Sequence, residues 1–210
     1  MQGYQAVPIS IPDLDYLINN YSTVEDAQAF SYKIGGHSMY EITFPTAGET
    51  WIYDGLSQCW SQVKTGSARH LAELSCNYRN GIYVTDYRTG DILKLDPTAM
   101  TDNGEAIIRT IQGKHFAQGD GVSVSQLWID VEMGVGTATG QGSDPQLMLQ
   151  TSKDGGSTWS NELWHSIGPQ GVRQRRAIWR RLGWAFDWVF RVSISDPVPL
   201  RLIGAYMEAQ

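Results

Sequence analysis

The chain has 210 residues, a formal net charge of −6, 22 glycines, eight tryptophans and ten tyrosines. A negative net charge argues against tight generic binding to DNA phosphates, and no segment reaches the ~20 apolar residues that a membrane helix needs. The abundance of turn-forming and aromatic residues predicts an all-β protein.

The first eleven residues lack the basic head and apolar centre of a signal peptide. Only Cys59 and Cys76 are available for a disulfide, which is too few for a disulfide framework. We expect both to be buried free thiols in a protein made in a reducing cytoplasm.

The one helical pattern lies in residues 12–30. Pro12 and Asp13 are suited to a first turn, and Leu14, Leu17 and Ile18 recur at helical spacing. A second short turn is expected over residues 23–27, where Thr23 is placed to cap it.

Strand patterns dominate after the helix, in two groups of three with short turns between them. We predict a first meander of Met39–Phe44, Thr50–Tyr53 and Cys59–Val63, and a second of His70–Cys76, Gly81–Asp86 and Asp91–Leu95.

The two meanders share a signature centred on Asp54 and Asp86, 32 positions apart. Each meander has an apolar residue two positions before its aspartate and a serine or threonine three positions after it. Such repeats are typical of propeller blades. Because two blades cannot close a propeller, we expect preceding strands or another subunit to complete it, with this chain the carboxy-terminal part of something longer.

A change in charge predicts a domain boundary near residue 120. Residues 1–120 hold eight Lys and Arg against fourteen Asp and Glu, whereas residues 121–210 hold eight of each. We therefore predict propeller-like blades with a short amino-terminal helix over 1–120. Residues 121–210, with about six alternating strands, are predicted to form a small antiparallel β-sandwich.

The second region carries an Asp-box turn at residues 152–159. An aspartate followed by glycines favours a tight turn, because glycine tolerates positive φ and the carboxylate accepts backbone N–H groups. We expect a strand to begin at the end of this turn, with its aromatic ring facing inward. The predicted turn residues are Ser152, Asp154, Gly156, Thr158 and Trp159.

An arginine-rich strand and an apolar segment follow. Three interpretations of the arginines remain open: salt bridges with stacking on Trp179, a subunit contact, or contact with DNA. Alternation in a strand divides the cluster between two faces. The candidate contact residues are Arg173, Arg175, Arg176, Arg180, Arg181, Trp184, Phe186 and Trp188.

Collinear segments over nearly the whole chain resemble the packaged-DNA stabilisation, or tail hub, proteins of short-tailed bacteriophages. They include residues 35–40, 44–48, 53–60, 86–90, 101–105, 140–145, 154–162, 179–183, 195–197 and 204–206.

This resemblance implies a virion protein of the tail that forms a ring of six copies below the portal. Its partners would be other tail and portal-adaptor proteins, with packaged DNA passing through the lumen without tight binding. One departure is that residues 184–188 are largely apolar where the family pattern has more basic residues. We expect exposed apolar surface there, around Trp184, Phe186 and Trp188.

No catalytic, cofactor or metal site is predicted. The histidines lack ligand spacing, and the glycine-rich residues 134–142 lack the lysine of a phosphate loop. The alternative function is a glycan-binding or sialidase-like propeller, which the Asp box suggests but which requires converging arginines. A DNA-binding module ranks third because of the net charge.

Overall fold

The computed structural model describes residues 7–172 and 176–210 and divides the chain into two units, Met1–Ala99 and Met100–Gln210. The predicted all-β class with a short amino-terminal helix and a β-sandwich is confirmed. Within the described residues, no helix has both the length and the apolar character needed to cross a membrane.

Helix α1 spans Pro12–Asn19. Proline at its first turn and the early acidic residues Asp13 and Asp15 favour a helix start. Leu14 is the buried residue that anchors it. The helix is shorter than the predicted helical region, because Gln28 already begins a strand.

The amino-terminal unit begins with a five-stranded antiparallel sheet in chain order. The predicted first meander corresponds to its second, third and fourth strands, and the first strand was missed because its residues were partly assigned to the helical region. The strands are β1 (Gln28–Ile34), β2 (His37–Phe44), β3 (Glu49–Asp54), β4 (Cys59–Thr65) and β5 (Ala68–Arg69).

A three-stranded antiparallel meander follows in the same unit, made of β6 (Ala72–Tyr78), β7 (Gly81–Asp86) and β8 (Ile92–Leu95). Leu71, Ala72 and Val84 form its buried apolar cluster, against which Phe30 of β1 packs. The prediction of buried thiols is wrong, because the cysteines of β4 and β6 are both exposed.

The two aspartates of the predicted repeat end β3 and β7 in equivalent turns. In each turn Oδ1 accepts the N–H of the second residue after the aspartate, at 2.9 Å for Asp54 and 2.8 Å for Asp86. The fourth residue, Gln58 or Gly90, has positive φ and donates its N–H to the aspartate carbonyl oxygen. Completion of a propeller by other strands stays a prediction.

The carboxy-terminal unit is an antiparallel β-sandwich whose longest strand takes part in pairing on both sides of the fold. The order is β14-β13-β15-β12-β16, with β11 also pairing with β15. The strands of this unit are β9 (Thr101–Asp102), β10 (Glu105–Ala106), β11 (Arg109–Gln112), β12 (Phe116–Val131), β13 (Gln146–Ser152), β14 (Leu163–Ser166), β15 (Ala177–Ile194) and β16 (Leu202–Ala209).

The division between the units lies earlier than the predicted boundary near Gly121. Residues 118–121 lie within β12, and β11 pairs with the last part of β15. Because both strands belong to the carboxy-terminal sheets, residues 100–120 group with the sandwich. The change in charge near residue 120 therefore does not coincide with the structural division.

The core of the sandwich lies between its two layers. Alternate residues of β12, β13 and β15 meet there, as expected for paired inner faces. The largest buried members of this cluster are Leu127, Ile129, Leu147, Leu149, Ile167, Trp179 and Ile194.

Asp86 offers a test of the repeated turn. Its carboxylate is 1% exposed and accepts the Nη2 of Arg88 at 3.0 Å. We expect Asp86→Ala to lower the free energy of unfolding by about 2 kcal/mol, because it leaves the backbone and guanidinium donors without their acceptor. Urea unfolding measures this.

The matched control is Asp91→Ala, which removes an exposed aspartate from the same turn. We expect a loss of about 0.5 kcal/mol or less. Equal effects for the two substitutions would contradict a special role for the buried aspartate.

Candidate assembly surface

An irregularity in the pairing of β12 with β15 decides which aromatic side chains are exposed. Residues 118–121 of β12 have no partners on β15 and form a bulge opposite Phe186. The buried positions of β15 before this bulge are odd-numbered, as at Ala185. After it Trp188, Val189, Val192 and Ile194 are buried, and three of these four are even-numbered. Residues that simple alternation would place on one face are thereby separated.

Trp184 and Phe186 project outward from β15 and form an exposed aromatic pair. They are 50% and 58% exposed, and their rings meet edge to face at 4.5 Å between centroids. The tryptophan ring covers the backbone of Gly121, where an added Cβ would lie 2.3 Å from a ring carbon. The absence of a side chain at Gly121 therefore allows the ring to lie flat against β12.

Trp188, by contrast, belongs to the core. It is fully buried, its Nε1 donates to the carbonyl oxygen of Val122 at 3.0 Å, and its ring stacks on Phe190 at 5.4 Å. The prediction that Trp188 contributes to an exposed apolar patch is therefore wrong. The bulge explains the error, because it shifts the alternation between Phe186 and Trp188.

The arginine cluster is only partly described. Arg173 and Arg175 lie outside the described residues. Arg176 pairs with Asp130, its Nε lying 3.2 Å from Oδ1, although the arginine side chain is 63% exposed. A surface pair of this exposure adds little stability, so Arg176 remains accessible to a partner.

Arg180 and Arg181 are exposed and, in the described part of the chain, form no ion pair. Arg180 lies opposite Gln126 of β12, and Arg181 has a φ of 60° where the pairing is again irregular. The ring of Trp179 beside them is buried and its Nε1 donates to Leu163. The buried ring does not provide the stacking partner that one interpretation of the arginines required.

A second aromatic feature, which sequence reasoning missed, lies on the outer face of β12 and β16. Trp128 and Tyr206 are register partners and stack at 5.6 Å, with an interplanar angle of 18°. Beside them Gln126 donates to Glu208 at 2.7 Å. The alternation of β12 from residue 126 onward was the signal that could have placed Trp128 on this face.

The Asp-box turn is closed by its own side chains. Asp154 Oδ1 accepts the Ser152 hydroxyl at 2.7 Å and the Thr158 N–H at 2.8 Å, while Oδ2 accepts the Thr158 hydroxyl at 2.5 Å. Ser152 Oγ also accepts the N–H of Gly156 at 2.8 Å. These hydrogen bonds lower the pKa of Asp154 to about 2, and the bond from the Thr158 hydroxyl has the largest effect.

Trp159 follows the turn but does not start a strand, contrary to the expectation from sequence. Residues 157–162 lack strand pairing, and β14 begins only at Leu163. The Trp159 ring is half-buried and lies 3.9 Å below the guanidinium of Arg191. This cation–π contact takes the place of strand burial in positioning the ring.

Three of the described arginines of the sandwich have separate partners. Arg109 donates to the carbonyl oxygens of Val198 and Asp196, both at 2.7 Å. Arg176 pairs with Asp130, and Arg191 donates to a glutamine of β13. Among the described residues they do not converge on one point, as recognition of a sialic acid carboxylate would require.

Comparison with known families finds a match in this region. Residues 110–210 match the family described as Bacteriophage P22 Gp10, beta-sandwich. No curated protein matches the chain. The matched range begins within β11, just after Arg109, and covers the exposed aromatic pair, the Asp-box turn and the arginines of β15.

Asp154→Asn tests the internal bonding of the turn. At pH 7 we expect a lower melting temperature than wild type, because the amide replaces a carboxylate oxygen that accepts the threonine donors. The carboxylate contribution is complete above its ordinary pKa near 3.8 and is lost as the pH falls through about 2. The difference between the two melting temperatures should therefore shrink over that window.

Asp120→Asn serves as the control, because Asp120 is an exposed aspartate of the same unit. At every pH from 7 down to 2, the melting temperature of Asp120→Asn should equal that of wild type. A constant difference between wild type and Asp154→Asn over the acid range would contradict the role given to the carboxylate.

Proposed function

We propose that the chain is a structural protein of a phage tail hub, because its residues 110–210 match the family described as Bacteriophage P22 Gp10, beta-sandwich. It assembles as a ring below the portal and helps to retain and channel packaged DNA. The family match is the observation that carries this proposal, and the exposed surfaces of the sandwich support it.

The exposed aromatic pair is the proposed centre of a contact between copies. Trp184 and Phe186 expose large apolar rings beside each other on a strand whose neighbours are tightly packed. Adjacent exposed aromatic residues are typical of the buried centre of protein interfaces. Covering this pair with a neighbouring copy would bury apolar surface that a single copy leaves in water.

The proposed assembly has six copies, with other tail and portal-adaptor proteins as neighbours in the virion. The outer aromatic stack of Trp128 and Tyr206, with the charged residues around it, offers a second surface for such neighbours. Arg180 and Arg181 are exposed cations at one side of this surface. Each would pair with an acidic group on an adjacent protein.

DNA passes through the proposed ring without tight binding. Each phosphate contact adds salt-dependent affinity, and a protein that must release DNA has reason to make few of them. The net charge of −6, most of it from residues 1–120, fits a neutral or repulsive channel. A channel dominated by lysine and arginine would contradict this proposal.

We propose no catalysis. The polar groups of the Asp-box turn bond to each other within the turn, where Asp154 accepts three hydrogen bonds from its own neighbours. Arg109, Arg176 and Arg191 each bond to a different partner. Neither arrangement favours the glycan-processing alternative.

Sedimentation velocity of Trp184→Ser/Phe186→Ser tests the assembly contact. Wild type should form a discrete oligomer as concentration rises. Since truncating an interface anchor costs ~2 kcal/mol or more, the double variant should require at least tenfold more protein to associate. Both side chains are exposed, so circular dichroism should show an unchanged fold.

The control is Leu56→Ser, which removes an exposed apolar side chain from a turn of the other unit. Its oligomer should form at the same concentration as wild type. A wild type that stays monomeric at every concentration would contradict the proposed function.

Fluorescence anisotropy with a labelled DNA duplex tests the channel proposal. We expect a Kd weaker than ~10 µM at ~0.15 M salt, at the weak end of non-specific binding. Arg180→Glu/Arg181→Glu should change this value little. If wild type bound the duplex with a nanomolar Kd and these substitutions abolished the binding, the arginines would instead be DNA-binding residues.

A further inference from the structure

A groove of about 680 Å³ opens in the amino-terminal unit, between the hairpin of β1 and β2 and the meander of β6, β7 and β8. It is the open end of the space between the two sheets. The other end is closed by the buried cluster of Leu71, Ala72 and Val84. The groove therefore continues an apolar core to the surface.

The floor of the groove is apolar. Its members come from both sheets and are half-buried, so that one side of each remains uncovered: Tyr32, Ile34, Met39, Ile82 and Leu95. Uncovered apolar surface of this kind is a favourable place for apolar side chains of a partner. Four of the five are aliphatic, which suits a peptide better than the stacked bases of a nucleic acid.

The rim of the groove is basic, in a unit that is otherwise acidic. Lys33, Arg79 and Lys94 are exposed, and in the described residues none of them forms an ion pair. The single rim carboxylate, Asp96, already accepts the N–H and hydroxyl of Thr98 at 2.9 and 2.6 Å. The groove, which we call the basic-rimmed groove, is therefore suited to an acidic segment that carries apolar side chains.

The outward face of α1 has this chemistry. Leu14 is buried and, with Ile18, faces the sheet, while the opposite side of the helix exposes Tyr16 between Asp13 and Asp15. Tyr16 is 71% exposed, the second highest value among the large apolar side chains of the described residues. The helix thus presents a carboxylate beside uncovered apolar surface.

We propose that the basic-rimmed groove receives the outward face of α1 from a second copy of this chain. Asp13 and Asp15 would lie against the basic rim, and Tyr16 between them would cover the floor. This inference rests on the proposed self-assembly and names one contact that builds it. Charge complementarity steers such contacts and fixes their register.

The two surfaces lie on opposite faces of the first sheet. The helix packs over Tyr40 and Ile42 of β2, whereas the groove is lined by Met39, which alternates with them, and by its register partner Tyr32. A copy cannot place its own helix in its own groove while Leu14 stays buried. The contact is therefore heterologous, and such contacts build closed rings when the rotation between copies closes.

Charge reversal on each side tests the contact in the full chain. Arg79→Glu/Lys94→Glu should weaken self-association about tenfold or more, and so should Asp13→Lys/Asp15→Lys, because each replaces attraction by repulsion across several pairs. An equimolar mixture of the two variants should restore association, since each wild-type surface then meets a wild-type partner and each reversed surface a reversed one. Sedimentation velocity measures all three samples.

Lys64→Glu/Lys114→Glu is the matched control, with the same change in net charge at exposed positions outside the groove. It should associate as wild type does, and circular dichroism should show that all variants fold. Association unchanged in both reversed variants, or weakened without restoration on mixing, overturns the groove contact while leaving ring assembly in place. A wild type that never associates overturns both proposals.

Nucleic acid is the competing occupant, and a labelled oligothymidine identifies it. If wild type binds this probe, Arg79→Glu/Lys94→Glu does not, and self-association is the same in both, the groove binds single-stranded nucleic acid and the proposed contact is overturned. We expect no difference in probe binding between the two proteins.

Discussion

The bulge of β12 opposite Phe186 is the constraint on which the exposed surface of the sandwich depends. Without residues 118–121 in this place, Trp184, Phe186 and Trp188 would share a face by alternation. With them, Trp188 is buried against Phe190 while the other two rings face solvent. One irregularity in pairing thus supplies both a core residue and an apolar surface for assembly.

The rest of the sandwich fits this division. Several polar groups of the sandwich already have partners. Asp154 is bonded within its turn, Arg109 donates to backbone carbonyl oxygens, and Arg191 contacts a glutamine and Trp159. Polar groups that are already paired add little to recognition of a small molecule. The groups that remain available for binding are exposed aromatic rings and exposed charged side chains. Such a surface suits a structural protein that binds neighbouring proteins.

Much of the fold followed from local sequence. Aspartate and glycine placed the turns after Asp54 and Asp86, because each turn is closed by its own side chain and a left-handed residue. Alternation and composition predicted an all-β chain with a sandwich. These features arise from interactions between residues close in sequence, so they can be predicted from the sequence alone.

The features that sequence reasoning missed depend on distant pairing. The sequence analysis separated an arginine-rich strand from the apolar segment after it, yet pairing with β12 carries strand β15 through both. The burial of Trp188 depends on a bulge in a strand some seventy positions earlier, and the groove depends on two sheets meeting. Such relations become visible only once the strands are paired.

The account requires that neighbouring copies cover the aromatic pair of β15. A cryo-electron microscopy reconstruction of the assembled protein tests this directly. We predict that Trp184 and Phe186 lie within the interface between adjacent copies, shielded from solvent. Rings that point into open solvent in a well-resolved assembly would contradict it.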